Sequence, residues 1–355
     1  MSESAMIDWD FAVLTARRLI RPGPYLSGDE TRSVVDTLRA CAATAEEHVR
    51  NYTLLDAVGP ESPVLVVDRS GWVEANADGF SKVVQPLVDK VESQRRSLAG
   101  MAGTVGARVT GAEAGALLAF LSHKVLGQFD PFGGPADAGD RPGRLLLVAP
   151  NIVAAEQEME VVPDDFRLWV CLHEETHRVQ FTAVPWLREH LLAEIGAFVE
   201  ATDVDPERLR GMLAEGIRRF TEVVRGDSGG SLLDLFTSAD QRAVIDRVTA
   251  VMSLLEGHAD VVMDGVGPAV VPSVATIRTR FDKRRKGRSP ADRVMRRLLG
   301  LDAKMRQYSD GAAFVNAVVD RVGMAGFNAV WAGPEQLPSA KEIADPEAWL
   351  HRVHG

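Results

Sequence analysis

Two histidines one helical turn apart, His173 and His177, enclose the sequence His173-Glu174-Glu175-Thr176-His177. On a helix, residues i and i+4 share a face, so both imidazoles can bind one metal ion without distorting the backbone. Glu174 then stands beside that ion rather than pointing at it. There it can take a proton from a metal-bound water and later hand it to a leaving group. The same five residues also arise by chance, and a pair of core histidines satisfied by hydrogen bonds is the alternative reading.

The flanking residues favour the metal. Asp164 after Pro163 reads as an N-cap, and Asp165 suits the positive end of the helix dipole. Phe166, Trp169, Val170, His173 and His177 recur at helical spacing, which puts both histidines on the inward face. An extended motif with a glycine and a third histidine would need them at positions 180 and 183, where the chain has Gln180 and Ala183.

A third ligand is offered farther along. Ser238 with Gln241 three residues later is a capping box, and the helix it opens carries Ile245, Val248, Met252, Glu256 and Asp260 along one row. Carboxylates on an apolar face are costly unless partnered. Glu256 as third zinc ligand, with Asp260 accepting a proton from a ligand histidine, resolves that cost; two structural carboxylates held by arginines are the alternative. His258 is a rival ligand only if the helix breaks at Gly257. Amide hydrolysis also needs a donor to the developing oxyanion. Tyr308 is the candidate on chemical grounds, against a core tyrosine bonded to backbone, with His258 and Arg278 behind it.

The elements that must position these residues read mostly as helix. Helical patterns run over Asp8 to Leu19, Asp29 to Asp56, Gly79 to Leu98 and Gly103 to Leu126, then from Asp164 almost to the end. Two short apolar runs, Val64 to Val67 and Leu145 to Val148, fit a small sheet. Asp68 to Gly71 reads as a turn after the first of them, and the second is the expected edge strand for a substrate. The expected class is mainly α with a small β-sheet, as one unit over residues 1–355. Within it lie a helical N-terminal segment (residues 1–130), a zinc-site core (residues 131–265) and a helical C-terminal segment (residues 266–355).

The totals narrow the function classes. A formal charge of −10 argues against a dedicated nucleic-acid binder, since phosphate contacts need a clear basic surface. The ten Lys or Arg between Arg278 and Arg297 read first as a solvated helical surface, and only second as a site for an anionic partner. Two cysteines make no disulfide framework, and the start of the chain carries Glu3, Asp8 and Asp10 with no basic residue before them. The apolar stretch Ala112 to Leu126 is interrupted by Glu113, His123 and Lys124, short of the ~18 apolar residues a membrane span needs. A cytoplasmic protein without a membrane partner is the expectation.

A zinc helix followed by Glu-x-x-x-Asp on a second helix resembles the gluzincin branch of zinc metallopeptidases. There the second glutamate is the third ligand and the aspartate supports a histidine, which implies those roles for Glu256 and Asp260. The chain further resembles an actinobacterial family, zincin-like metallopeptidase type 2, whose members carry hydrolase or deazaflavin-coenzyme-biosynthesis labels. The resemblance rests on His173 to Phe181 with Pro185-Trp186-Leu187, and on Glu256 to Asp260. Leu298 to Lys304 with Gln307-Tyr308, and Phe327 to Trp331, complete it. It implies a zincin fold and a zinc cofactor, and no particular reaction. Two functions follow as expectations: a zinc-dependent hydrolase of peptides or amides with Glu174 as general base, or a catalytically silent zincin-shaped scaffold with structural zinc.

Overall fold

The computed structural model describes residues 6–56, 62–95, 103–134, 143–202, 238–286 and 301–355. Helices dominate, with one three-stranded sheet among the described residues, so the class is mainly α with a small sheet. The chain divides into two compact units, the first comprising Met1–Arg188 and Val262–Ile277, the second Glu189–Val261 and Arg278–Gly355.

In the first unit, α1 (Trp9–Leu19) is capped by Asp8, whose carboxylate accepts from the Phe11 N–H at 2.9 Å. Ser27 and Glu30 form a capping box on α2 (Gly28–Thr53). Strand β1 (Val64–Val67) feeds directly into α3 (Arg69–Arg95). Asp68 accepts from the Gly71 N–H at 2.7 Å through Oδ1 and from the Trp72 N–H at 3.0 Å through its carbonyl. The Asp68 to Gly71 stretch is therefore the first turn of α3, which starts ten residues before the helix expected at Gly79. Next come α4 (Gly103–Ser122), β2 (Gly127–Asp130), β3 (Arg144–Val148), α5 (Ala149–Met159) and α6 (Pro163–Ala183).

The sheet order is β1-β3-β2, with β1 parallel and β2 antiparallel to β3. Leu145, Leu146, Leu147 and Val148 are all fully buried, as a strand covered on both faces requires. Because β3 pairs on both sides, it cannot be the edge expected from the sequence. The outer antiparallel strand is β2, whose Gly-Gln-Phe-Asp holds one large apolar residue and gives no strand signal.

α6 packs against α2 and β2. Its N-cap is Val162, with no side-chain cap, and Pro163 is the first helical residue, where its missing N–H costs nothing. Asp164 thus stands inside the first turn rather than at the cap, and Asp165 accepts from the Ser273 N–H at 2.9 Å.

α7 (Pro185–Glu200) leads into the second unit, which carries most of α8 (Ala239–Val266). The expected capping box opens α8: the Gln241 N–H donates to Ser238 Oγ at 3.1 Å and the Ser238 N–H to Gln241 Oε1 at 3.4 Å. α9 (Val274–Lys286) and α10 (Leu301–Phe327) follow, and two short 3-10 turns lead to α11 (Ala340–Ala344) and α12 (Pro346–His354). Phe314, Phe327 and Trp349 are fully buried in this unit's core. α8 runs unbroken through Gly257, where a Cβ would stand 2.2 Å from the Gly311 carbonyl carbon. The glycine allows α8 and α10 to touch and does not break the helix.

Candidate metal centre

α6 sets the two histidines edge to face, with ring centroids 4.8 Å apart at 90° and their Nε2 atoms 3.2 Å apart. Two nitrogens at tetrahedral vertices, each about 2.0–2.1 Å from one zinc ion, would lie about 3.3–3.4 Å from each other. The separation therefore suits two ligands of a single ion. The outer nitrogens are engaged separately. His177 Nδ1 lies 3.0 Å from Gln180 Oε1, and His173 Nδ1 lies 3.2 Å from the Met263 sulfur on the last turn of α8. In the sequence, Gln180 serves only to rule out an extended motif. Its position three residues after His177, on the same helix face, is the signal that could have found it.

Glu256 stands two turns before Met263 on the same side of α8. Ligand-capable atoms of His173, His177 and Glu256 all lie within 4.8 Å of one another, the one such group of His, Cys, Asp or Glu among the described residues. Two imidazoles and one carboxylate are a donor set suited to zinc with an open fourth position. Asp260 accepts from Arg278 Nη1 at 3.2 Å, and Arg278 Nη2 donates to the Asp260 carbonyl at 3.2 Å. His258 is fully buried, stacked on Phe327 with centroids 5.2 Å apart and tilted against Trp331 at 5.7 Å. The Tyr308 side chain lies outside the described residues, as do positions 287–297 of the basic run.

Glu174 is buried, and its neighbour is the first residue of β2. A Cβ on Gly127 would stand 2.6 Å from Glu174 Cγ and 3.0 Å from its Oε1. The Leu126 carbonyl accepts from the Val148 N–H at 2.8 Å. In an antiparallel ladder bonding direction alternates, so Gly127 and Phe129 turn their N–H and C=O groups away from β3. Phe129 is fixed in turn on Phe181 of α6, with ring centroids 5.4 Å apart. Nothing in the sequence marks Gly127.

The opposite face of α6 is closed by charge. Arg178 donates through Nε to Glu175 at 2.5 Å, through Nη1 to the Ser62 carbonyl at 2.9 Å and through Nη2 to Glu46, which also binds Arg50 at 2.5 Å. Burial pushes the Glu175 carboxyl up to about 7, against the pull of Arg178. Burial also drives the Cys171 thiol well above its usual range, so this residue two positions before His173 is a core thiol and not a nucleophile.

Among the described residues no helix is long and apolar enough to cross a membrane. A family model described as zincin-like metallopeptidase matches residues 7–350 of the chain. Among solved structures, a protein from Chloroflexus aurantiacus described as a candidate hydrolase with a novel fold is 31% identical, with a TM-score of 0.70. That match covers 98% of this chain and 99% of the other. No functionally curated protein matches.

Proposed function

The chain belongs to the zincin-like metallopeptidase family, and on that premise we propose that it is a zinc-dependent hydrolase cleaving a peptide or another amide. His173, His177 and Glu256 would hold the ion. Zinc bound there would supply a Lewis acid and lower the pKa of a bound water. Glu174 would serve there as general base and then general acid, holding a proton on its carboxylate and handing it to the leaving nitrogen, a task that needs a carboxylate held beside the ligands and not among them. The open side of β2 receives an extended substrate through the backbone groups of Gly127 and Phe129, which brings its scissile bond past Glu174. Tyr308 is assigned, on its chemistry, as donor to the oxyanion.

The observation that carries this reading is the pair of facing Nε2 atoms 3.2 Å apart, with Glu174 packed on the outer antiparallel strand. It is tested by the metal content of the purified protein, measured by plasma mass spectrometry beside His173→Ala. About one zinc per chain, lost in the variant, is expected for a single closed set of protein ligands. No metal in either protein after incubation with zinc would overturn the reading.

A further inference from the structure

We propose that Gln180 is the positioning residue that holds His177 ready for the metal, by keeping its proton on Nδ1 and its lone pair on Nε2. The inference rests on the zinc-hydrolase reading for the identity of the ion, but the tautomer it assigns belongs to the protein alone.

The helix sets the geometry. Residues three apart on α6 are neighbours, so the Gln180 side chain lies over the outer edge of the His177 ring. Gln180 is fully buried, and its Oε1 is 3.0 Å from His177 Nδ1. An amide oxygen can only accept, so this contact is made by the Nδ1–H tautomer. The lone pair then falls on Nε2, the atom that faces His173 Nε2 at 3.2 Å. Tautomer and ring direction are thus set by one hydrogen bond within a single helix.

The chemical type of the partner matters as well. Ligand histidines commonly donate to a carboxylate, a backbone carbonyl or water. Here the acceptor at His177 is a neutral amide, and the contact at His173 Nδ1 is the neutral thioether of Met263 at 3.2 Å, a weak acceptor. Asp260, the carboxylate that the sequence suggests for this role, is engaged by Arg278. A neutral acceptor orients the ring without pulling its proton away, so the ligand remains an uncharged imidazole. That leaves more of the metal's positive charge for the bound water than an imidazolate-like ligand would.

The test uses the full chain, with Gln180→Leu and Gln180→Glu. Two quantities are read: the tautomer of His177 in metal-free protein, from imidazole nitrogen NMR, and zinc affinity, from competition with a chromophoric chelator. The wild type is expected to show Nδ1–H at His177. Gln180→Leu is expected to lose that preference and to bind zinc about 10–100-fold more weakly. Gln180→Glu keeps an acceptor in place and so retains affinity, whereas a merely space-filling role for Gln180 would let Gln180→Leu, of similar volume, retain it as well. An Nε2–H tautomer in the wild type overturns the proposal. So does Gln180→Leu binding zinc within about twofold of wild type. A wild type that binds no zinc sinks the hydrolase reading, while the tautomer still decides the role of Gln180.

Discussion

On one face of α6, His173, Glu174 and His177 come together as two facing ring nitrogens and a carboxylate set against a strand edge. On the other, Glu175 and Arg178 are tied to Glu46, Arg50 and the Ser62 carbonyl. Glu174 and Glu175 are adjacent in sequence and about 100° apart around the helix, and the proposed function gives them opposite work. A general base needs an ionised carboxylate beside the reacting atoms, with its proton capacity kept for the reaction. An anchor needs the reverse, because a buried charge is tolerated only when its partners are close and complete. On the proposed function, the chemistry of one face depends on the ion pairs of the other, which tie α6 to Glu46 and to the Ser62 carbonyl.

The strongest way to sharpen this contrast is Glu174→Gln. It keeps size and polarity, so zinc content should stay at wild type. Turnover on a substrate found by peptide-library screening should fall by about 10²–10⁴-fold. A variant that retains both zinc and full function would make the protein a scaffold with structural zinc and remove the chemical half of the comparison.

The anchoring face is broken most directly by Arg178→Met. It leaves Glu175, fully buried, and Glu46 without the cation they share. Removing one partner of a buried ion pair costs about 3–5 kcal/mol, so the urea midpoint should drop sharply even with zinc present. A drop below about 1 kcal/mol would mean the network does not hold α6.

Gly127→Ala probes the meeting of β2 with the face of α6 that carries Glu174. The new methyl would stand 2.6 Å from Glu174 Cγ, so the carboxylate must shift. Misplacing a reacting group by about 1 Å can cost about 10²-fold, so a fall of about 10- to 100-fold in kcat is expected with zinc content unchanged. Unchanged kcat would place the working position of Glu174 away from β2.

These residues also show what could be read before the fold was known. The histidine pair was legible because metal binding demands fixed residue types at a helical spacing, and Ser238 with Gln241 because a capping box is local chemistry. β1 was legible because Val64 to Val67 is an uninterrupted apolar run, and β3 because its burial on both faces requires one. β2 was not legible. An outer strand needs little apolar sequence, and Gly127 matters only through Glu174, 47 positions farther along the chain. Asp68 reads as a turn residue although the same side chain opens α3, since turns and N-caps use the same acceptor geometry. Gln180 needed no long-range information, only attention to which residues share a face with His177.

The smallest effect expected is at Glu175, and it separates a network centred on Arg178 from one whose carboxylates are anchored independently. Glu175 is the most deeply buried member, and burial already pushes its carboxyl up to about 7, toward the neutral form. In Glu175→Gln an amide replaces a carboxylate of nearly the same shape. Arg178 keeps its bond to the Ser62 carbonyl at 2.9 Å and its pair with Glu46. The desolvation saved on Glu175 offsets most of the attraction lost, so stability should change by no more than about 1 kcal/mol. Urea melts of Glu175→Gln and Arg178→Met, run side by side, measure the asymmetry. Equal losses in the two would mean that the cation is not the hub and that each carboxylate is anchored independently. A small loss at Glu175 against a large one at Arg178 would place the hold on α6 in a single guanidinium, one residue beyond the second histidine.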